Sequence, residues 1–449
     1  MTEVFPGLSM HPAPRLRELD ISIDDEVDTD RPPIVLPESL FASRKLTSLE
    51  SVTIASCEMT PSWSKTFLTR SLRSLKLDNG VAWRNIDEMM QFFELVPFLE
   101  TLDLHTYNVR VHSFDTTRSN EFTLKGVLLR KLRTFRVCTR FLEDMAMFAY
   151  LMFPHTAELD IHIAEGDTDL EGDAGEDEIL DAICAGLVTL KNHFAPAVAA
   201  GLGYTHVRLS PWGINVPCYS PCVLHDNGGM KNTSAAQLPA GLAPISLPFG
   251  ISKLDPHLLR LSYAMLLEQP ILYTATAVCI QGILPPEAYS CLEKWTAVEA
   301  LEVPKFHKSA LPGFVAGVTR QPFRLFPSLR RLQVVDATIV EPDEPLDEAL
   351  IPWDKVVEGE GLRGTDARAF IATVKKLADY EHFERLIFIR CVMSAQVLQE
   401  VKGILGEQRV EGKVESPEER LQAREEWKRK RSDKKNPHRF LMPSRWEDD

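Results

Sequence analysis

The chain has 449 residues, of which 44% are hydrophobic and 25% are charged, and its net charge is −14 at pH 7. The apolar content can build a packed core and excludes a disordered chain, and the length allows two or three domains or one elongated repeat array. The negative charge argues against general nucleic-acid binding, which depends on neutralising phosphates with Lys and Arg.

The sequence shows no sign of secretion or of membrane insertion. The N-terminus, MTEVFPGLSMHPAPRLRELD, lacks the basic-then-apolar order of a secretory signal. The most apolar stretch (263–284) is interrupted by Glu268, Gln269 and Pro270, whereas a bilayer span takes about 20 apolar residues. The eight cysteines have no framework spacing. We therefore predict a cytoplasmic or nuclear protein that binds neither membrane nor nucleic acid.

A short apolar template recurs from the N-terminus onward. In LTSLESVTIASC (46–57), Leu49, Val52 and Ile54 lie at relative positions 0, 3 and 5, and Cys57 lies at position 8. Neither an amphipathic helix nor a simple alternating strand has this spacing. Good copies begin at Leu16, Leu49, Leu72, Leu99, Leu132, Val298, Leu329 and Phe383, and weaker copies begin at Thr156, Tyr204 and Pro256.

Helix-like runs and prolines precede several copies. Proline lies two residues before the template at Pro14, Pro97, Pro154 and Pro327. The runs 85–96 and 141–153 lead into two of these prolines, and the first run opens with a capping arrangement of Asn85 and Glu88. Because proline ends a helix and favours an extended neighbour, the unit is predicted to be helix, proline, short strand and turn.

This unit resembles the leucine-rich repeat, L-x-x-L-x-L-x-x-N/C. The resemblance implies an α/β leucine-rich-repeat solenoid, a horseshoe with parallel strands on its concave face and helices on its convex face. Positions 3 and 5 should point inward, and Cys57, Cys391 and Asn79 should close turns by bonding the backbone. Such units stack because none buries its apolar faces alone. The alternative is an ordinary doubly wound α/β sheet, whose strands are also apolar.

The template breaks in two places, at an acidic stretch (165–178) and at a Pro/Gly-rich stretch without periodicity (211–252). A loop as long as the second is either functional or poorly ordered. The predicted organisation is an N-terminal segment (1–13), N-terminal repeats (14–164), an acidic insertion (165–178), a repeat (179–210), a Pro/Gly-rich loop (211–252), C-terminal repeats (253–410) and a charged tail (411–449). In the tail, KRKRSDKK (428–435) is either a nuclear address or a solvated helix end.

The acidic insertion matches the calcium-loop pattern D-x-[DN]-x-[DN]-G-x₅-E. The ligand positions fall on Asp167, Asp169, Glu171 and Glu178, with Gly172 at the glycine position. Two features oppose a calcium site: Glu171 replaces the shorter Asp or Asn, and LDIHI (159–163) precedes the loop as a strand where the motif needs a helix. An acidic spacer explains the same residues.

Other chemical motifs are weak or missing. Cys218, Cys222 and His225 could supply three metal ligands, but structural zinc sites use four, so an ordinary loop is the alternative. The P-loop, the zinc-protease helix, the full dinucleotide fingerprint and the nucleophile elbow are absent from the sequence. We therefore expect no enzyme activity and no cofactor.

The outward residues at position 4 define a candidate binding face. They are Asp20, Thr53, Lys76, Asp103, Arg136, Asp160, Arg208, Arg260, Glu302, Gln333 and Ile387. Arg136, Arg208 and Arg260, with His162 and His206 beside them, predict a basic patch that recognises an acidic or phosphorylated segment of a protein substrate. The alternative is that these charges only solvate the surface.

Several copies resemble the repeats of fungal F-box proteins, among them APRLRELDI (13–21), LFPSLRRLQV (325–334) and FERLIFIRC (383–391). In that family an F-box docks the Skp-type adaptor of a ubiquitin ligase and the repeats hold the substrate. The resemblance implies the substrate-recognition part of such a receptor. Residues 1–13 are too few for an F-box, so a Skp-type adaptor is expected only if an F-box lies upstream. The alternatives are a stand-alone scaffold without a ubiquitin link and a calcium-responsive binder.

Overall fold

Short parallel strands, each closed by a turn, are the main regular elements of this protein. The structure is a computed structural model that describes residues 11–22, 34–36, 40–58, 69–80, 82–106, 115–124, 126–163, 174–210, 213–216, 242–248, 256–280, 284, 286–304, 314, 325–340, 365–420 and 422–423. The chain divides into a first unit (Met1–Leu202 with Leu238–Ile271) and a second unit (Gly203–Gln237 with Leu272–Asp449).

The strands are numbered in chain order. The first ten are β1 (Glu18–Ser22), β2 (Ile34–Val35), β3 (Ser51–Ala55), β4 (Cys57–Glu58), β5 (Ser74–Asp78), β6 (Thr101–His105), β7 (Val127–Leu128), β8 (Thr134–Thr139), β9 (Leu151–Met152) and β10 (Glu158–Ile163). They are followed by β11 (His206–Ser210), β12 (Gly213–Val216), β13 (Ile245–Pro248), β14 (Ala277–Ile280), β15 (Ala300–Pro304), β16 (Arg331–Val335), β17 (Thr338–Val340), β18 (Thr365–Asp366), β19 (Arg385–Met393) and β20 (Val410–Glu415).

The helices lie between strands. They are α1 (Ile86–Leu95), α2 (Phe141–Tyr150), α3 (Glu176–Ala199), α4 (Pro256–Leu267), α5 (Pro286–Cys291), α6 (Ala367–Ala378) and α7 (Ala395–Leu405), with short 3₁₀ helices at Leu40–Ser43, Pro270–Leu272, Leu292–Lys294 and Glu407–Arg409. The predicted cap of α1 is present, since the Glu88 N–H donates to Asn85 Oδ1 at 2.9 Å. In the described ranges no helix combines the length and the apolarity needed to cross a membrane.

In the first unit β1, β3, β5, β6, β8, β10 and β13 pair in parallel, in that order. The register aligns the position-3 residues Leu19, Val52, Leu75, Leu102, Phe135, Leu159 and Ile245, each at most 9% exposed. The position-5 residues Ile21, Ile54, Leu77, Leu104, Val137 and Ile161 are likewise buried. The inward orientation predicted for positions 3 and 5 is therefore confirmed.

The second unit repeats this arrangement. β11, β14, β15, β16, β19 and β20 pair in parallel and in chain order, and β12 runs antiparallel to β11. Outside this series, β17 pairs with the end of β19 and with β18. The aligned position-3 residues are Val207, Val278, Leu301, Leu332 and Leu386, each at most 3% exposed. Sequential parallel pairing in one register is what stacked copies of the template require, and it differs from the reversal of strand order in a doubly wound sheet.

Four copies of the template turn after the strand through a left-handed residue at position 7. This residue has a positive φ, between 50° and 57°, at Ser56, Asn79, Asp336 and Arg390. The backbone N–H of Ser56 donates to Asp78 O at 2.7 Å, and that of Asn79 donates to His105 O at 2.7 Å. These bonds continue the parallel ladder beyond the strands and hold neighbouring turns together.

Position 8 holds a buried cysteine in two copies of the template. Cys57 and Cys391 are fully buried, and their thiols donate to Ala55 O at 3.2 Å and to Val334 O at 3.3 Å. At Gly80 an added Cβ would lie 3.1 Å from Cys57 O. The prediction that these cysteines close turns by bonding the backbone is confirmed. Burial raises the pKa of Cys391 to about 11, so its thiol stays protonated.

Charges alternate where the chain enters the first strands. The residues at position 1 are Arg17, Glu50, Arg73, Glu100 and Arg133, and each backbone N–H after Arg17 donates to the carbonyl of the residue before it in this series, at 2.6–2.7 Å. Ion-pair distances are 4.0 Å for Arg17–Glu50, 3.2 Å for Arg73–Glu100 and 3.9 Å for Arg133–Glu100. Every neighbouring pair in this column therefore has opposite charges.

Three predictions about particular segments were wrong. The weak copy at Pro256 belongs to helix α4, because a spacing of three also fits a helix and proline favours the first helical position. The Pro/Gly-rich stretch is not free of periodicity, since Leu242, Ile245 and Leu247 form a buried copy on β13. The predicted charged tail begins inside β20, which pairs with β19.

Candidate functional site

Many of the charged side chains described in the first unit lie on the outward face of its strands. Positions 2, 4 and 6 alternate with the buried positions and point away from the core. The position-4 residues are aligned in the order Asp20, Thr53, Lys76, Asp103, Arg136 and Asp160. The alignment matches the column predicted from the sequence.

Arg136 on β8 lies between three carboxylates. Its Nε donates to Asp160 Oδ2 at 2.9 Å and its Nη2 to Glu158 Oε1 at 3.2 Å, while Nη1 lies 3.7 Å from Asp103 Oδ2. Burial alone would lower the pKa of Arg136, but its bond to Asp160 and the surrounding negative charges outweigh burial and raise that pKa. The guanidinium is already neutralised by the protein itself.

Two histidines flank this arrangement at position 6. His105 Nε2 lies 2.9 Å from Asp103 Oδ1, and His162 Nε2 lies 2.7 Å from Asp160 Oδ1. The hydrogen bond to Asp160 is the main cause that raises the pKa of His162. Burial would raise the pKa of Asp160, but His162 and Arg136 outweigh burial and lower it. We name Asp103, His105, Arg136, Glu158, Asp160 and His162 the Arg136 cluster.

The strand face of the first unit is acidic. Its outward carboxylates are Glu18, Asp20, Asp78, Asp103, Glu158 and Asp160, and its outward cations are Lys76 and Arg136. The predicted basic patch is therefore wrong for this unit. The arginines of the column alternate with carboxylates, and pairing with Asp103 and Asp160 neutralises the charge of Arg136.

The five predicted binding residues are divided between the two units and between strands and a helix. Arg136 and His162 belong to the Arg136 cluster, whereas His206 and Arg208 lie on β11 in the second unit. Arg260 is exposed on helix α4 and not on a strand face, so its assignment to the binding face was wrong. Burial lowers the pKa of His206, and its Nδ1 lies 3.0 Å from Thr205 Oγ1.

In the second unit the position-4 residues are less charged and partly buried. Arg208, Cys279, Glu302, Gln333 and Ile387 lie side by side, and Cys279 and Gln333 are each only 5% exposed. Gln333 Nε2 donates to Glu302 Oε2 at 3.3 Å, and the Cys279 thiol lies 3.6 Å from Glu302 Oε1. At position 7, Arg390 makes a bidentate pair with Asp336, at 2.8 and 2.7 Å.

The structure adds little to the predicted metal sites. Asp167, Asp169, Glu171 and Gly172 lie outside the described residues, as do Cys218, Cys222, His225 and the basic cluster 428–435. Glu178 lies in the first turn of α3, where its Oε2 accepts the Gly175 N–H at 3.1 Å. Within the part of the chain that the structure describes, no group of three or more His, Cys, Asp and Glu side chains is arranged to hold a metal ion.

Comparisons of this chain with known proteins give a structural similarity and no family assignment. No protein-family model and no curated protein matches it. Among solved structures it is similar to a leucine-rich-repeat protein of Leptospira interrogans, with 11% sequence identity and a TM-score of 0.27, over 85% of this chain and 76% of that one. A TM-score of this size carries no argument, so the interpretation rests on strand register and side-chain geometry.

Proposed function

We propose that the protein is a non-enzymatic interaction array of leucine-rich-repeat type, with parallel strands on concave faces and helices on convex faces. Its first unit would bind a basic segment of a protein partner on the strand face. Two observations support the repeat class: parallel strands pair in chain order in one register, and buried cysteines lie at position 8. Stacked repeats commonly bind partners on such an extended strand surface.

The acidity of the strand face supports the proposal that the partner segment is positively charged. Exposed Glu18 and Asp20 lie at one end of the face, and the carboxylates of the Arg136 cluster lie towards the other. Complementary charge steers encounter and fixes orientation, so a Lys- or Arg-rich segment is the expected occupant.

An acidic or phosphorylated partner, as predicted from the arginines alone, fits this face poorly. A phosphate bound to Arg136 would lie close to Asp103 and Asp160, which already occupy the guanidinium. Placing like charges side by side across an interface costs several kcal/mol. The same arginine that suggested anion binding therefore serves to hold carboxylates on the surface.

A peptide-binding comparison tests the proposal. The full chain is titrated with a Lys/Arg-rich peptide and with a phosphoserine-rich peptide of equal length, followed by fluorescence anisotropy. We expect the basic peptide to bind at least ten-fold more tightly, with an affinity that falls as salt is added. Tighter binding of the phosphopeptide would overturn the proposal.

Charge-matched variants locate the surface. The triple variant Glu18→Gln/Asp20→Asn/Glu158→Gln removes three carboxylates from the strand face and should weaken the basic peptide about ten-fold. Glu176→Gln/Asp177→Asn/Asp181→Asn removes three carboxylates from helix α3 and serves as the control, with little change expected. Equal losses in both variants would mean that net charge alone attracts the peptide, which contradicts a defined face.

The ubiquitin-ligase role stays a prediction that rests on the F-box resemblance. Co-purification of the chain with a Skp-type adaptor would support it, and capture of partners without the adaptor would favour the stand-alone scaffold. Calcium binding at 167–178 also stays a prediction, which a calorimetric titration with CaCl₂ checks directly.

A further inference from the structure

A cavity of about 380 Å³ lies in the first unit, apart from the strand face. It is enclosed by the β7–β9 ladder, the turn at Pro154 and His155, the end of helix α2 and the second half of helix α3. Its volume falls within the range of small-molecule sites, roughly 300–1,000 Å³. The function proposed above does not use it.

The inner wall of the cavity is aromatic and fixed. Phe148, Phe153 and His193 are buried and contact one another, with ring centroids 6.1 Å apart for Phe148–Phe153, 5.0 Å for Phe153–His193 and 6.0 Å for Phe148–His193. Edge-to-face and tilted packing of this kind holds each ring in one orientation. The cavity therefore offers a preformed apolar wall.

The outer part of the cavity exposes apolar side chains. Leu128 and Met152 are cross-strand neighbours in the β7–β9 ladder, and they are 37% and 38% exposed. Both line the cavity. Large apolar side chains that stay exposed next to a concave apolar wall are typical of a binding site.

The formal charge of the cavity lining comes from Arg130. His155 and the polar side chains of Thr189 and Asn192 line the cavity beside it, and none of the described residues along its wall is Asp or Glu. The local charge complements an anionic group on a ligand.

We propose that this cavity binds a small carboxylate with an apolar body. The carboxylate lies towards Arg130 and His155, and the apolar body packs against Phe148 and Phe153. Desolvating the body provides most of the affinity, while the Arg130 guanidinium selects an anion over an uncharged molecule of the same length.

Calorimetry on the full chain with sodium decanoate as the probe tests the proposal, and 1-decanol serves as the uncharged counterpart. We expect saturable one-to-one binding of decanoate and at least ten-fold weaker binding of decanol. In a sample with ¹³C-methyl methionine, the Met152 methyl resonance should shift on addition of decanoate. Absence of binding at millimolar decanoate, or equal binding of decanoate and decanol, would overturn the proposal.

Two pairs of exposed residues supply variants and controls. Arg130→Gln should weaken decanoate at least five-fold, whereas Lys131→Gln makes the same charge change at an exposed residue outside the cavity and should not. Asn192→Trp fills the opening and should abolish binding, whereas Lys191→Trp, one residue earlier on the exposed surface of α3, should not. Binding that survives both Arg130→Gln and Asn192→Trp would place the ligand elsewhere and overturn the assignment.

Discussion

The two units bury equivalent side chains but present different ones outward. In the first unit, position 4 alternates in charge along Asp103, Arg136 and Asp160, and its ions pair with one another. In the second unit the equivalent strands carry Glu302, Gln333 and Ile387, and Gln333 Nε2 donates to Glu302 Oε2 at 3.3 Å. Inward positions 3 and 5 are large and apolar in both units.

The difference separates the residues that maintain the fold from those available for recognition. Burial of positions 3 and 5 and the backbone bonds of the ladder are common to both units, so they hold the strands whatever lies outward. The outward positions can then vary without loss of the fold. The first unit in this way offers an acidic strand face, whereas the second unit carries fewer charges at position 4.

The largest expected effect tests the shared interior. Leu102→Ala and Leu332→Ala each delete a fully buried position-3 side chain, one in each unit, and should each lower the free energy of unfolding by about 2–5 kcal/mol. Urea unfolding measures both, and Thr53→Ala at an outward position, with an expected loss below about 1 kcal/mol, is the control. A cost below about 1 kcal/mol for either leucine would show that the two interiors are not equivalent.

A smaller effect tests the charged face of the first unit. Arg136→Ala leaves three carboxylates without their cation and should cost about 1–3 kcal/mol, measured as a shift of the urea midpoint. Arg133→Ala removes a side chain that is 80% exposed and 3.9 Å from Glu100, so it should cost less than about 1 kcal/mol. Equal costs would mean that the Arg136 cluster contributes no more than a surface ion pair.

The smallest effect concerns pH and has opposite signs in the two units. His162 has a raised pKa, so its contribution to stability is present below the unfolded His pKa of about 6.5 and is lost as pH rises through the folded value. His206 has a pKa lowered by burial, so its contribution is present above about 6.5 and is lost as pH falls through the folded value.

NMR titration of the imidazole rings measures both values. We expect His162 to titrate above His206, and Asp160→Asn to lower the pKa of His162 while leaving that of His206 unchanged. An unchanged pKa of His162 in the Asp160→Asn variant would contradict the role of Asp160.

The sequence pattern identified β1, β3, β5, β6, β8, β15, β16 and β19 because large apolar residues occupy all three template positions. β14 was missed because Ala275 stands at position 0, where a small side chain hides the spacing. β13 was missed because its copy is surrounded by Pro, Gly and Ser. Pro256 was misassigned because apolar residues three apart satisfy a helix as well as a strand. Local spacing alone cannot tell whether such a segment forms a strand or a helix, since pairing with neighbouring strands determines the outcome.

The sequence predicted which residues lie on the candidate site but not the sign of its charge. The column containing Asp103, Arg136 and Asp160 follows directly from the template, but the predicted charge of the face did not. The sign of a surface depends on distances between residues of neighbouring strands, such as the 2.9 Å between Arg136 and Asp160. These distances follow from strand pairing, which the sequence pattern suggests without specifying each contact.

The alternating charges of Arg17, Glu50, Arg73, Glu100 and Arg133 constrain how such an array can lengthen or shorten. Loss of one repeat from within this series would bring two residues of like charge together, whereas loss of two adjacent repeats would restore an opposite pair. Each contact is exposed and worth at most about 1 kcal/mol, so the bias is mild. The column of position-1 residues therefore tolerates gain or loss of repeats best when they are gained or lost in pairs.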